Sequence, residues 1–201
     1  MYTLNAIVLS KQLIRDNQVR VILFTEDYGK ITAWTKKPYS ISDIGSLTEI
    51  VIERKKQENI IHSITPLHTP KNEGWNYKTT LEYLTLFQLI RESLPEGMSQ
   101  KDIFHDIKEI ISHLSSIDLY FQSSTNKTLQ LFILSKARIL KRQGFLREEL
   151  FLNSKVLSNI FQRLDVASMK SMINSREIHL PTLKEIEYAI SEGIHTYKNR
   201  I

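Results

Sequence analysis

Apolar and polar positions alternate with a period of two through the first third of the chain, and with a period of about 3.6 beyond it. Runs at 6–10, 19–25, 30–35, 47–54 and 59–65 are short and rich in β-branched and aromatic residues, with turn formers between them, so they predict five strands. In the run after Gly29, Ile31, Ala33 and Thr35 fall on one face, and Lys30, Thr32, Trp34 and Lys36 on the other. Gly29 closes the turn Glu26-Asp27-Tyr28-Gly29, since it accepts positive φ without a Cβ clash. Residues 38–45 hold Pro38, Ser40, Ser42, Asp43 and Gly45 and read as a loop.

The change of period follows a junction at 66–74, which holds two prolines and a glycine. Leu81, Leu84, Phe87 and Ile90 mark a helix that ends near Pro95 and Gly97. Ser99 with Asp102 is a capping signal for the next, whose apolar face is Ile103, Ile107, Ile110, Ile111 and Leu114. A third helix spans 127–143 and stops at Gly144. Shorter helical patterns cover 156–164 and 166–173. Thr182 with Glu185 reads as a capping box opening a last helix. The predicted class is α+β: an N-terminal five-stranded OB-type β-barrel over 1–68, then an α-helical domain over 69–201.

Composition narrows the class. With 41% hydrophobic and 24% charged residues, the 201-residue chain is globular. It has no Cys, which excludes disulfides and Cys-ligated zinc. No apolar run approaches the roughly 18 residues of a membrane span, and the N-terminus lacks a signal-like block. A soluble, cytoplasmic protein is expected. The net charge is +5, yet 119–147 alone carries +6 and no carboxylate, so the remainder sums to −1. An anionic partner suits that segment.

Two surfaces carry candidate chemistry. Trp34 shares its face with Lys30 and Lys36, next to Lys37. A ring between cations suits a nucleic-acid strand, whose bases stack while its phosphates meet ammonium groups. The plainer reading is a Trp that covers a barrel end while lysines snorkel past it. On the 127–143 helix, Leu131 and Leu134 fall among Lys127, Arg138, Lys141 and Arg142. A cation-rimmed apolar groove there suits an acidic peptide with a hydrophobic end. The alternative is a helix packed on two sides with solvated basic residues. The six histidines are scattered, and no nucleophile elbow, P-loop or Gly-rich cradle occurs, so neither a metal, a cofactor nor an enzyme is expected.

Several of these residues resemble one family. Ala-Ile-Val-Leu at 6–9, Phe24-Thr25 followed by Gly29-Lys30-Ile31, and Gly45-Ser46-Leu47 look like the N-terminal OB domain of the RecO recombination mediators. Ala137-Arg138-Ile139-Leu140 with Gly144-Phe145 is similar to that family's Leu-Arg-Leu-Leu…Gly-Tyr helix end. The resemblance covers about three quarters of the chain and rests on the order of the motifs. It implies DNA repair and recombination: binding of single- and double-stranded DNA, strand annealing, and recombinase loading with RecR. It also implies capture of the acidic C-terminal tail of the single-strand-binding protein. It points to Lys30, Trp34, Lys36 and Lys37 for DNA, and to Arg138 for the tail. The chain departs from the family twice. The four-cysteine zinc module is missing, and the basic loop after the third strand is reduced to Lys36-Lys37-Pro38-Tyr39-Ser40. The rival expectations are an OB-fold RNA-binding protein and a structural adaptor whose barrel binds only protein.

Overall fold

The computed structural model describes residues 1–15, 18–36, 41–71, 75–115, 125–146, 165–174, 178 and 180–198. Its strands are β1 (Tyr2–Arg15), β2 (Gln18–Thr25), β3 (Gly29–Thr35), β4 (Leu47–Lys55) and β5 (Glu58–His68). Its helices are α1 (Tyr77–Ser93), α2 (Lys101–Ser115), α3 (Thr125–Arg142), α4 (Val166–Asn174) and α5 (Leu180–Lys198). The arrangement is α+β, and the strands close a barrel in the order β1-β2-β3-β5-β4, as the OB-type reading expects. Among the described strands, β3 and β5 are the one pair that runs parallel.

The barrel closes because one side of each strand is apolar. Val19, Val21, Leu23, Ala33, Ile50, Ile52 and Ile61 are buried in a single core cluster, so the period of two becomes an inside and an outside. β1 runs well past the expected 6–10. Tyr2–Ile7 pairs with β4, and the polar stretch from Ser10 pairs with β2 beyond an irregularity at Leu9. β5 continues through Pro66, beside a register shift in its ladder with β4, so the junction begins later than the prolines suggest. Gly29 has φ +63°, and a Cβ there would lie 1.9 Å from the Met98 carbonyl oxygen. The turn before it is tied by Thr25 Oγ1, which donates to Gly29 O at 3.0 Å and accepts from Tyr28 N at 3.2 Å.

The chain divides into two compact units. The first joins Met1–Asn72 to Phe87–Ile117, and the second joins Glu73–Leu86 to Asp118–Ile201. α2 therefore belongs with the barrel, whereas the sequence reading placed everything after residue 68 in the helical domain. The five expected apolar residues of α2 are buried, together with Phe104, whose ring meets Phe24 edge-on at 5.5 Å. Ser99 does not cap α2; its Oγ donates to the Glu26 carbonyl oxygen at 2.7 Å.

In the second unit α3 is central. Residues 131–137, Ile139 and Leu140 are all buried. Trp75, Tyr83 and Phe132 form a ring cluster with centroids 5.2 to 5.5 Å apart. Lys136 Nζ pairs with Glu82 Oε2 beside it. On α1, Thr79, Tyr83, Leu86, Phe87, Leu89 and Ile90 are buried, so Phe87 and Ile90 lie on the packed face as expected, while Leu81 and Leu84 are exposed and Tyr83 and Leu86 take their place. Asp165 caps α4 by accepting from Ser168 N at 2.9 Å. α5 begins at Leu180, so Pro181 and Thr182 lie in its first turn rather than ahead of it. The helical pattern at 156–164 falls outside the described residues. No described helix is long and apolar enough to cross a membrane.

Candidate nucleic-acid interface

Trp34 stands on the outside of the barrel. Its strand neighbours Ala33 and Thr35 are buried, whereas Trp34 itself is half-buried and Lys36 is exposed. The ladders align a row across the outer face: Gln12 opposite Arg20, Arg20 opposite Trp34, Trp34 opposite Ile60, and Ile60 opposite Glu53. Directly opposed side chains on one face are neighbours at about 5 Å. Arg20 therefore borders the indole on one side and Ile60 on the other. Beside this row is an open depression of about 250 Å³, lined by Gln18, Trp34, Lys36, Glu58, Ile60 and His62 among others.

The structure brings Trp34 and Lys36 together at this depression and leaves Lys30 out of it. Lys30 lies four residues back along β3, roughly 13 Å at about 3.3 Å per residue. Its Nζ donates to the Arg91 carbonyl oxygen at 2.7 Å, and its own carbonyl accepts from Gly97 N at 3.0 Å. Partial burial pushes the ammonium below its ordinary value; Glu96 opposes that shift and Arg91 adds to it. Lys30 is thus a brace for the end of α1 and does not join a single surface with Trp34 and Lys36. Lys37 falls outside the described residues.

Three features of this face were missed in the sequence. Arg20 is the cross-strand partner of Trp34, and its Nε is a buried donor without a hydrogen-bond partner among the described residues. His62 Nε2 lies 2.9 Å from Glu53 Oε2, and Lys55 Nζ lies 3.1 Å from the same oxygen. Hydrogen bonds from Lys55 and then His62 hold the Glu53 carboxyl below its ordinary range. The tip of the β4–β5 hairpin carries Arg54, Lys55 and Lys56, all exposed. Arg20 could have been placed on the polar face from the period of β2, but its partner on β3 needed the register.

The groove expected on α3 is not there. Leu131 and Leu134 are fully buried at 0% exposure and cannot floor an open site. α3 packs against α4 and α5 and receives Trp75 and Tyr83 as well, so apolar positions on nearly every side of it are used. The cations remain near the surface: Lys127, Arg138 and Lys141 are half-buried and Arg142 is exposed. Arg138 is close enough to Asp165 to help keep that carboxyl low, after the hydrogen bonds of Ser168. Among the described residues no group of three or more His, Asp or Glu is placed to hold a metal ion.

The chain matches no protein-family model, and no curated protein matches it in sequence.

Proposed function

We propose that this protein is a non-enzymatic DNA-binding mediator of the RecO type, acting in repair and recombination in the cytoplasm. The observation that carries the reading is Trp34: a large ring on the outside of an OB-type barrel, bordered by Arg20 across the ladder and by Lys36 along the strand. An outward Trp between cations suits single strands, which bind by stacking on such rings and by phosphate contact. In this reading the barrel holds single- and double-stranded DNA and promotes annealing. The helical unit offers Lys127, Arg138, Lys141 and Arg142 to the acidic tail of the single-strand-binding protein, and RecR is a further partner. With Leu131 and Leu134 buried, tail recognition there rests on charge.

The test is fluorescence anisotropy with a labelled single-stranded DNA oligomer and an RNA of the same sequence, run beside a strand-annealing assay. DNA binding with faster annealing is expected. Absence of binding at low salt would leave a protein-only adaptor as the better reading.

A further inference from the structure

We infer that Glu58 selects the base held against Trp34: its carboxylate accepts hydrogen bonds from the Watson–Crick edge of guanine, so this single-strand site prefers guanine and disfavours thymine. This deepens the proposed function and rests on Trp34 as the stacking residue.

The register puts the two side chains on one face. β3 and β5 run parallel here, with Trp34 opposite Ile60. Glu58 lies two residues before Ile60 on β5 and therefore faces the same way. It stands one diagonal step from Trp34, roughly 8 Å when strand spacing and rise are combined. Both side chains line the depression of about 250 Å³, together with Lys36 and His62. A base stacked on the indole fills that depression, and its edge comes within reach of Glu58.

The carboxylate is available for that edge. Glu58 closes the β4–β5 hairpin opposite Lys55, the cation that the ladder offers it. Lys55 Nζ instead lies 3.1 Å from Glu53 Oε2, and His62 Nε2 lies 2.9 Å from the same oxygen. Both cationic neighbours are thus committed to Glu53. Glu58 is exposed, and among the described residues its carboxylate has no ion pair or hydrogen bond.

A carboxylate repels phosphate, so a free one beside the stacking ring works against a surface that reads only the DNA backbone. Towards a base the same group is a two-oxygen acceptor. Guanine presents N1–H and its 2-amino group side by side, which match the two oxygens. Cytosine and adenine each present one amino group. Thymine presents a lone N3–H between two carbonyls, and those carbonyls repel the acid. Charge-assisted bidentate pairs are the strong ones, so guanine gains most. Lys36, exposed at the same depression, is left for the adjoining phosphate.

Guanine and hypoxanthine, the base of deoxyinosine, stack alike and differ by the 2-amino group, which isolates the carboxylate contact. Three DNA oligomers of about 16 nucleotides, the upper site size of one OB fold, are compared by fluorescence anisotropy. One is all thymidine, one alternates thymidine with deoxyguanosine, and one alternates thymidine with deoxyinosine. The wild type should bind the guanine oligomer about tenfold more tightly than the inosine oligomer, within the range of one bidentate pair. It should bind oligothymidine more weakly still. Glu58→Ala is an exposed change that leaves the barrel core alone, and thermal unfolding checks that the fold is kept. It should abolish the preference for guanine over inosine and bind oligothymidine more tightly than the wild type does, because the repulsion is gone. A guanine preference that is absent from the wild type, or that survives Glu58→Ala, while Trp34→Ala still weakens binding, would overturn the role of Glu58 and leave the Trp34 site standing. Equal loss of affinity for all three oligomers in Glu58→Ala would overturn it too, since Glu58 would then support the site without reading the base. A wild-type protein that ignores all three oligomers at low salt would overturn both readings.

Discussion

Lys30 Nζ donates to the carbonyl oxygen of Arg91 at 2.7 Å, and Arg91 lies in the last turn of α1. The last carbonyls of a helix lack intrahelical donors, and a cation there meets the negative end of the dipole. Lys30→Met is therefore expected to cost about 1 kcal/mol in chemical denaturation, since the group is still partly solvated. Single-stranded DNA binding should be unchanged. The pH dependence carries a further mark. The unfolded chain keeps this proton up to the ordinary value of 10.5, and the folded chain releases it earlier. Between those points the unfolded state binds more protons, so stability contributed at this site rises with pH. The wild type should gain on Lys30→Met as pH climbs through that window. A flat difference, or a loss of DNA affinity, would contradict the bracing role.

Trp34→Ala should separate binding from folding. The ring is outside the barrel core and half-buried. Its removal should cost about 1 kcal/mol of stability, well under the roughly 3–5 kcal/mol of a core aromatic. If a base stacks on it, single-strand affinity should fall by about 1–3 kcal/mol. Wild-type affinity in a folded Trp34→Ala protein would remove the stacking site.

Gly29→Ala tests the turn between β2 and β3. The new Cβ would sit 1.9 Å from the Met98 backbone oxygen, and φ +63° is unfavourable for any side chain. Backbone cannot yield as a flexible side chain does, so a loss of at least roughly 2 kcal/mol is expected from the strained φ and the forced shift together. An alanine protein with an unchanged melting temperature would show that the Met98 segment does not pack there in solution.

Strand positions were legible because burial on one face imposes a period of two, and β2 to β5 lie within a few residues of the runs read from sequence. Sidedness was legible for the same reason: Ala33 and Ile31 pack at the core and Trp34 does not. What could not be read was anything that depends on a partner in space. Lys30 and Lys36 have the same periodicity, but only the fold puts an α1 carbonyl next to one of them. Leu131 and Leu134 looked misplaced among cations because a wheel assumes one buried side, whereas α3 is surrounded. Arg20 joined the site only through its register with Trp34.

The α3 surface gives a contrast between neighbours. Leu131→Ala should cost about 2–5 kcal/mol, as a fully buried leucine does. Arg138→Glu should keep the fold, losing roughly 1 kcal/mol through repulsion with Asp165. It should weaken capture of a labelled acidic peptide, more strongly at low salt than at high, because exposed charges are screened within about 10 Å at 0.1 M. Equal peptide binding by Arg138→Glu would leave α3 as a structural helix with a solvated basic edge.

Lys136 and Glu82 form an ion pair whose side chains are only 10% and 16% exposed, with Thr85 Oγ1 3.4 Å from the ammonium. The pair joins α3 to the part of α1 that belongs to the same unit. Taking two charges out of water is costly, and their attraction roughly repays it; removing one partner leaves the other buried and uncompensated. Lys136→Met alone, or Glu82→Leu alone, should therefore cost about 3–5 kcal/mol. The double variant replaces both charges by apolar groups of similar length and should recover most of that loss, with wild-type stability or better within reach. The two single losses would add to about 6–10 kcal/mol against a small loss in the double variant, so the coupling energy from the double-mutant cycle would be large, roughly 5 kcal/mol or more. Additive losses in urea denaturation would mean that each charge finds water on its own, and that the pair contributes no more than a surface contact.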